Sequence, residues 1–322
     1  MAHVIRMHET GGPEVLRWES LDVAPLGRGE VRVRHTAVGL NFIDTYYRTG
    51  LYATPLPAIL GSEAAGVVQA IGERVSGLEV GDRVAYATGP IGSYCEQRNV
   101  NADVLVKLPP KVDDRVAAAS ILKGLTAHYL VEMTTTLNAV SRPTVLVHAA
   151  AGGVGLLLTQ WLKHRGALVI GTVGSEEKSA LARAHGCDHV IVYRHEDVVS
   201  RVHQIGRVDV VYDSIGKDTF HASLDCLRPR GLLVTFGQSS GPIGPIDPRL
   251  LMQKGSLFMT RPTLGDYAKG VELHARAREL FDAISGGVLK VTAAQSYPLR
   301  DAEAAHRDLE ARKTVGSTLL IP

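Results

Sequence analysis

The stretch that most constrains the fold is LVHAAAGGVGLLLTQWLK, which begins at Leu146. Apolar residues typical of a buried strand run into small residues from Ala149 to Gly155, and an amphipathic helical pattern follows at once. Ala150 to Gly155 match the pattern G-x-G-x-x-G, with Ala in the first glycine place. A turn this tight lets the backbone approach a pyrophosphate, which the first N–H groups and the dipole of the following helix favour. The stretch therefore predicts a dinucleotide-binding turn, and a helix-start turn without a ligand is the alternative.

Strand and helix patterns alternate after this turn. The strand patterns are ALVIGTV, HVIVY, VDVVYDSI, GLLVTFG and SLFMTRP, and the helix patterns between them include SEEKSALARAHG, DVVSRVHQIG and KDTFHASLDCLRPRG. Continuous apolar strands separated by helices indicate a parallel sheet that is covered on both faces. Six strands in this order predict an α/β, doubly wound, Rossmann-type nucleotide-binding domain over residues 124–263.

The chain before this domain has a different residue pattern. EVRVRHTAVGL alternates as a strand does, and GVVQAIGERVSGLEVGDRVAYA supplies short β-branched runs punctuated by glycine. We therefore expect a β-rich domain over residues 1–123, with a helix that starts near Asp113 at its end. Residues 264–322 are expected to return to this first domain.

Charge and cysteine content exclude several function classes. The formal net charge is +2 over 322 residues, with acids and bases interleaved, which argues against a dedicated nucleic-acid or membrane surface. Cys95, Cys187 and Cys226 lie far apart, and such a sparse, odd set suits a reducing compartment. The first residues, MAHVIRMHET, have no apolar signal core, and no apolar run approaches the ~18 residues of a membrane span. A cytoplasmic protein is the expectation.

The end of the second strand of the alternation predicts which dinucleotide binds. Gly174 stands where an enzyme that uses NAD has the acid that grips the ribose 2′-hydroxyl, and Ser175 and Lys178 follow it. A hydroxyl and an ammonium group without a carboxylate suit a 2′-phosphate, so NADPH is favoured over NADH. Glu176 and Glu177 are interpreted as first-turn residues favoured by the helix dipole, with side chains directed away. The alternative for Lys178 is a solvated helix lysine.

Motifs along nearly the whole chain carry a family resemblance. They are GGPEVL, VGLNFIDTYYRTGLY, LGSEAAGVV, GDRVAY, KGLTAHYL, HAAAGGVGLLLTQWLK, VVYDSIGKDTF, GSLFMTRP and YPLRDAEAAH. Together they resemble the zeta-crystallin-like quinone oxidoreductases, a zinc-independent branch of the medium-chain dehydrogenase/reductase superfamily. The resemblance implies a GroES-like β-rich catalytic domain beside the Rossmann-type domain. It also implies reduction of quinones by hydride or electron transfer from NADPH in an interdomain cleft.

The residue pattern predicts no metal site. Zinc-dependent relatives carry an early Cys and then Gly-His-Glu, whereas this chain has Gly61-Ser62-Glu63 and places Asn41 in the segment that would supply the Cys. We interpret Glu63 as a buried structural acid. Without a Lewis acid the oxidation of an alcohol is hard, whereas a quinone accepts hydride readily.

The resemblance also implies the residues around the nicotinamide and the acceptor. Those expected to line the cleft are Asn41, Phe42, Ile43, Asp44, Thr45 and Tyr46. Asn41 is expected to hydrogen-bond the acceptor or the ribose, and Tyr46 and Tyr52 to stack on a quinone or donate to its carbonyl. The alternative for the tyrosines is a packing role, and water is an alternative source of the protons.

The expected cofactor contacts of the nucleotide-binding domain lie mostly at the carboxyl ends of strands, where such sheets bind ligands. They are Tyr129, Gly152, Gly153, Val154, Gly174, Ser175, Lys178, Tyr193, Ser214, Phe236, Gly237, Gln238, Ser239, Ser240, Pro262, Thr263 and Leu264. Arg312 of LEARKTVG resembles a family arginine that reaches the cofactor, and a surface arginine is the alternative.

Two other function classes stay open at this point. An NADPH-dependent reductase of enones or 2-alkenals shares the fold, and a crystallin-type or RNA-binding role is a further alternative that the nearly neutral charge disfavours as the main role. SLFMTRP would leave an apolar open edge as the last strand of the sheet, so a homodimer that joins two sheets is expected.

Overall fold

A computed structural model of the chain describes residues 1–134 and 142–322, which form two compact units. The β-rich unit comprises Met1–Leu125, Ala268–Gly287 and Val291–Pro322. The nucleotide unit comprises the described part of Thr126–Tyr267 together with Val288–Lys290. The expected domain 124–263 includes residues 135–141, which lie outside the described residues.

Strands outnumber helices in the described part of the chain. The strands are β1 (Ala2–Met7), β2 (Arg17–Leu21), β3 (Glu30–Leu40), β4 (Ala58–Ile59), β5 (Glu63–Ile71), β6 (Arg83–Tyr86), β7 (Gln97–Asn101), β8 (Val106–Lys107), β9 (Thr144–Val147), β10 (Leu168–Val173), β11 (His189–Val192), β12 (Val208–Asp213), β13 (Leu227–Thr235), β14 (Phe258–Thr260), β15 (Gln295–Pro298) and β16 (Thr318–Ile321). The helices are α1 (Phe42–Arg48), α2 (Asp114–Glu132), α3 (Gly153–His164), α4 (Glu176–Ala184), α5 (Val198–Ile205), α6 (Phe220–Cys226), α7 (Pro248–Gln253), α8 (Leu264–Tyr267), α9 (Gly270–Ser285) and α10 (Ala302–Glu310).

The β-rich unit is built around β3. This strand pairs antiparallel with β5, β7 and β16, in a sheet whose order is β15-β16-β3-β5-β6-β8, and β2-β1-β4 form a second sheet. Because side chains alternate along a strand, Val31 and Val33 enter the core while Arg34 is exposed, which is the pattern that predicted this strand. The pairing of Leu319 with Gly39 brings the last strand of the chain into the same sheet.

The nucleotide unit contains six parallel strands in the order β11-β10-β9-β12-β13-β14. This is the doubly wound order, and it confirms the predicted fold class. Leu146, Ile170 and Val211 are buried in its core, as continuous apolar strands require when helices cover both faces of a sheet. The chain departs from β9 in both directions along the sheet, and in such folds ligands bind at that switch point, outside the carboxyl ends of the strands.

Two local expectations differ from the structure. The helix predicted over KDTFHASLDCLRPRG ends at Cys226, and the residues after it open β13. Pro229 explains the error, because a proline disfavours helical backbone in the residue before it. Helix α1, within NFIDTYYR, was not predicted, because its seven residues are too few for a helical period to stand out.

Within the two described ranges, 1–134 and 142–322, no helix has both the length and the apolar character needed to cross a membrane.

Candidate active site

The glycine-rich turn joins β9 to α3 in the geometry that its sequence predicts. Gly152 precedes the helix with φ −80° and ψ 172°, and helix α3 begins at the next residue. At Gly155 a Cβ atom would lie 2.3 Å from the carbonyl oxygen of Ala149 and 2.9 Å from the Cα of Ala150, so the helix sits too close to the turn for any side chain there. The first N–H groups of α3 have no partner within the helix, which suits the turn to hold an anion.

The next strand ends beside a tyrosine. A Cβ atom on Gly174, the residue after β10, would lie 2.7 Å from the hydroxyl oxygen of Tyr193. Tyr193 follows β11 directly, its N–H donates to the carbonyl oxygen of Val173 at 3.1 Å, and it is 40% exposed. The absence of a side chain at Gly174 therefore lets this hydroxyl approach the end of β10.

Helix α4 begins at the same place. The hydroxyl oxygen of Ser175 accepts the N–H of Lys178 at 3.4 Å and caps the helix. Glu176 and Glu177 are exposed in the first turn, whereas Lys178 is half-buried. The hydroxyls of Ser175 and Tyr193 and the backbone of Lys178 thus lie around the end of β10.

The remaining predicted cofactor residues follow the other strands. Ser214 comes after β12, and its carbonyl oxygen accepts the N–H of Ser239 at 3.2 Å, so the ends of β12 and β13 lie side by side. Because all six strands are parallel, their carboxyl ends share one edge of the sheet. The residues that the fold brings to this edge are Gly152, Gly153, Val154, Gly174, Ser175, Tyr193, Ser214, Phe236, Gly237, Gln238, Ser239, Ser240, Pro262, Thr263 and Leu264.

Tyr129 lies on α2 rather than at a strand end. It is 3% exposed, and its ring stacks on that of Tyr267 with 4.9 Å between centroids and 13° between planes. Burial raises the pKa of its hydroxyl. In the other unit, Arg312 is exposed, just after the end of α10, in the left-handed backbone region at φ 58°.

A buried polar network beneath the sheet edge was not found from the sequence. His148 at the end of β9 lies 3.0 Å from Thr172 Oγ1 through Nδ1 and 3.0 Å from Ser223 Oγ through Nε2. Ser223 in turn donates to Asp213 at 2.7 Å. Burial lowers the pKa of His148, so it stays neutral and joins the ends of β9 and β10 to helix α6. The available signal was a histidine that ends an otherwise apolar strand.

Asp213 is structural, as its position at a strand end suggests. Besides the Ser223 hydroxyl, its carboxylate accepts the N–H of Ile215 at 2.8 Å and the Thr219 hydroxyl at 2.8 and 2.9 Å. The carboxylate therefore fixes the loop that follows β12.

In the β-rich unit, the residues expected to face the acceptor lie on α1 and just after it. The ring centroids of Tyr46 and Tyr52 are 5.3 Å apart in an edge-on arrangement, and Phe42 lies 6.5 Å from Tyr46. Tyr46 is 8% exposed, Tyr52 is half-buried, and Ile43 on the same helix is half-buried too. Thr45 is 4% exposed, and its hydroxyl donates to the carbonyl oxygen of Phe42 at 2.7 Å.

Asn41 begins this helix and contacts two buried acids. Its N–H donates to Asp44 Oδ2 at 2.9 Å, and its Nδ2 donates to Glu63 Oε1 at 2.9 Å. Glu63 is fully buried and also accepts the Leu122 N–H at 2.7 Å and the Lys123 ammonium at 2.5 Å. The interpretation of Glu63 as a structural acid is therefore confirmed. Lys123, within the KGLTAHYL motif, is its counter-ion and was missed.

Comparisons with known proteins agree with this geometry. A family model described as "Alcohol dehydrogenase GroES-like domain" matches residues 27–131, and one described as "Zinc-binding dehydrogenase" matches residues 153–274. The quinone oxidoreductase of Pseudomonas aeruginosa is 52% identical over the full length of both chains. The chain belongs to the quinone oxidoreductase family.

Other members of the family support the assignment. The crystal structure of Escherichia coli quinone oxidoreductase complexed with NADPH matches with a TM-score of 0.96 at 48% identity and covers 100% of both chains. The 2-haloacrylate reductase of a Burkholderia species is 45% identical and covers 100% of this chain and 99% of its own length. The predicted family and the GroES-like and Rossmann-type domains are thereby confirmed.

The donor set of this quinone oxidoreductase family member does not fit the zinc ion that one model's description names. Glu63 is already neutralised by Lys123, and Ser62 and Asn41 occupy the places of a soft or imidazole ligand. Across residues 1–134 and 142–322, no three His, Cys, Asp or Glu side chains converge as metal ligands.

Proposed function

We propose that this member of the quinone oxidoreductase family reduces quinones with NADPH. One observation carries the proposal: the glycine-rich turn of α3 lies beside the end of β10. At that strand end the chain has Ser175 and Lys178, and Gly174 stands in place of an acid. The enzyme is NADPH-dependent, because an anion-binding turn and a basic, hydroxyl-rich strand end suit a dinucleotide with a 2′-phosphate. The NADPH complex of the 48% identical Escherichia coli protein supports this interpretation.

The chain's own residues take defined roles in this proposal. Gly153 and Val154 present backbone N–H groups to the pyrophosphate, and Lys178 and Ser175 hold the 2′-phosphate. NADPH supplies the hydride when it is bound. Asn41, Tyr46 and Tyr52 contact the acceptor, which is a quinone because an electron-poor carbonyl accepts hydride without a Lewis acid.

The 2′-phosphate contact is tested by Lys178→Glu. A charge-assisted bond is worth about 1.5–3 kcal/mol, so we expect the NADPH-over-NADH ratio of kcat/KM to fall by about 10- to 100-fold. The measurement is the oxidation of each nucleotide by a para-quinone in chelator-treated protein. Arg183→Glu reverses an exposed charge on the same helix and should leave the ratio unchanged. An unchanged ratio in Lys178→Glu would contradict the assigned 2′-phosphate site.

A reductase of activated double bonds is the second candidate. The 45% identity to a 2-haloacrylate reductase is the observation that favours it. Reduction of a carbon–carbon double bond needs a proton at the α-carbon, whereas a quinone receives its proton on oxygen. Turnover of 2-haloacrylate or a 2-alkenal without turnover of quinones would replace the acceptor in the main proposal and leave the nucleotide site as described.

The proposal includes a homodimer in the cytoplasm. Strand β14 is the last strand of its sheet, and Phe258 on it is 62% exposed, so an open apolar edge is available to a second copy. Cys95, Cys187 and Cys226 are free and buried, which suits a reducing compartment.

A further inference from the structure

Asp44 is a fully buried carboxylate that receives hydrogen bonds from three sides. The Asn41 N–H donates to Oδ2 at 2.9 Å, the Ser62 hydroxyl donates to Oδ1 at 2.7 Å, and the Tyr94 hydroxyl donates to Oδ2 at 3.0 Å. Ser62 and Tyr94 have no part in the contacts proposed so far. Three donors hold this carboxylate in one orientation. The Tyr94 hydroxyl is in turn oriented by residues that lie behind it.

The hydrogen bonds behind Tyr94 have only one possible direction. Arg48 always donates, so His306 Nδ1, which lies 3.0 Å from the guanidinium, is an acceptor. The proton of the neutral imidazole is then on Nε2, which donates to the Tyr94 hydroxyl at 3.1 Å and turns the hydroxyl hydrogen toward Asp44. Burial and the Arg48 charge lower the pKa of His306 to about 3, so this tautomer persists at ordinary pH.

Arg48 is itself fixed. It is 1% exposed, and Glu310 accepts from both of its terminal nitrogens at 2.9 and 2.7 Å. The order Glu310, Arg48, His306, Tyr94, Asp44 therefore runs from a partly exposed acid to a buried one, and from Arg48 to Asp44 each group donates to the next one.

Ser62 is the member of this network through which a proton can leave. The Asn41 donor is a backbone amide and Tyr94 is fully buried, whereas Ser62 is half-buried and carries an exchangeable hydroxyl 2.7 Å from the carboxylate. Ser62 is the residue before Glu63, and Glu63 accepts a hydrogen bond from Asn41 at the start of α1. The Ser62 hydroxyl therefore lies near the start of the helix that carries Tyr46.

We propose that Ser62 delivers to the quinone oxygen a proton held by Asp44, and that Tyr94, His306 and Arg48 are positioning residues for that carboxyl group. The inference rests on the proposed function. The quinone gains a hydride from NADPH and becomes the hydroquinone monoanion; the Ser62 hydroxyl gives its proton to that oxygen and takes the Asp44 proton in the same step. The Asp44 carboxylate is left ionised and regains its proton from water through Ser62 after the product has gone.

The surroundings of Asp44 set the pH at which it holds this proton. Burial raises its pKa, the hydrogen bonds from Ser62, Asn41 and Tyr94 lower it, and the charge of Glu63 raises it, with a result of about 6. The other titratable groups packed against the site are Tyr47 and Arg48 on α1 and His306 on α10. Because the protonated carboxyl is the active form, kcat should decline as the pH rises above about 6.

The first test removes the delivering hydroxyl. With an electron-rich para-quinone, we expect Ser62→Ala to lower kcat about 100-fold, at the lower end of what general acids contribute. With an electron-poor quinone, whose hydroquinone anion is a weak base, the loss should be several-fold smaller, and Ser62→Thr should retain the wild-type rate. The NADPH dissociation constant, measured by nucleotide fluorescence, should stay unchanged in both variants. Equal loss with both quinones, or no loss, would overturn the proton delivery.

The second test separates positioning from mere support of the fold. Tyr94→Phe removes a donor that lowers the Asp44 pKa, so the decline of kcat should move to higher pH, whereas a structural role would lower the rate without moving the profile. The infrared band of a buried carboxylic acid should likewise persist to higher pH in Tyr94→Phe and vanish in Asp44→Asn. A band that is absent from the wild-type protein at pH 5 would overturn the inference.

Failure of the acceptor and failure of the proton delivery are distinguishable. A wild-type protein that binds NADPH and turns over no quinone would refute the proposed acceptor, and the proton delivery with it. Wild-type turnover that Ser62→Ala fully retains would refute the proton delivery alone.

Discussion

At the residue scale, two glycines at the proposed nucleotide site allow close contacts that a side chain would prevent. Gly155 admits the carbonyl oxygen of Ala149 to 2.3 Å from the place of a Cβ atom, and Gly174 admits the Tyr193 hydroxyl to 2.7 Å. The first contact is with rigid backbone, whereas the second is with the end of a side chain that is free to rotate away. The two positions therefore differ in how strictly they require glycine.

Gly155→Ala should lower stability and nucleotide affinity together. The added methyl group must push the start of α3 from the turn, and overpacking of this kind costs about 1–3 kcal/mol of the free energy of unfolding. Urea unfolding and NADPH titration measure the two effects. Gly265→Ala is the matched control, since a Cβ atom there meets nothing within 4 Å and stability should not fall. A free energy of unfolding of Gly155→Ala equal to that of the wild type would contradict this expectation, because it would mean that the start of α3 can move without loss of stability.

At the element scale, the proposed dimer depends on the short edge strand β14. It spans Phe258–Thr260, pairs with β13 on one side, and exposes 62% of Phe258. An edge strand with an apolar residue is an open template for a second strand.

Phe258→Glu should convert a dimer to a monomer. Two copies of the added charge would face each other across the joined edge, where like charges are destabilising. Sedimentation velocity at micromolar concentration is the measurement. Val271→Glu, on α9 of the β-rich unit, places the same charge on a side chain that is 86% exposed, and it should stay dimeric. A wild-type monomer would refute the dimer, and a dimeric Phe258→Glu would refute this edge as its interface.

At the scale of the whole molecule, buried histidines set the response of stability to acid. Burial lowers the pKa of His35 to about 4 and that of His306 to about 3, and it lowers the pKa of His148 as well. The unfolded chain protonates such groups near pH 6.5 and the folded chain does not, so stability is lost as the pH falls below 6.5. Asp44, with its pKa raised to about 6, acts in the opposite direction, because the folded chain gains its proton first.

Three buried histidines lower stability as the pH falls, whereas Asp44 raises it, so the free energy of unfolding should fall between pH 6 and pH 5. Each excess proton taken up by the unfolded chain contributes a slope of about 1.4 kcal/mol per pH unit. Urea unfolding at several pH values measures the slope, and His35→Gln should reduce it by about that amount even though its stability at pH 7 is lower. A stability that does not vary over this range would contradict the buried, neutral state of the histidines.

The amino-acid sequence alone predicts the order of the elements, the parallel sheet and the glycine-rich turn, because hydrophobic period and small residues act locally along the chain. It also placed Gly174, Ser175 and Lys178 at one strand end, because the strand and the following helix adjoin in sequence. The buried network of Asp44, Tyr94 and His306 could be found from the three-dimensional structure but not from the sequence, since Tyr94 and His306 lie 212 residues apart and neither belongs to a recognisable spacing. A faint signal for His306 existed, a polar side chain on the buried face of α10 beside Ala302 and Ala305. What such a residue bonds to depends on which distant strand packs against it, and no local pattern along the chain contains that information.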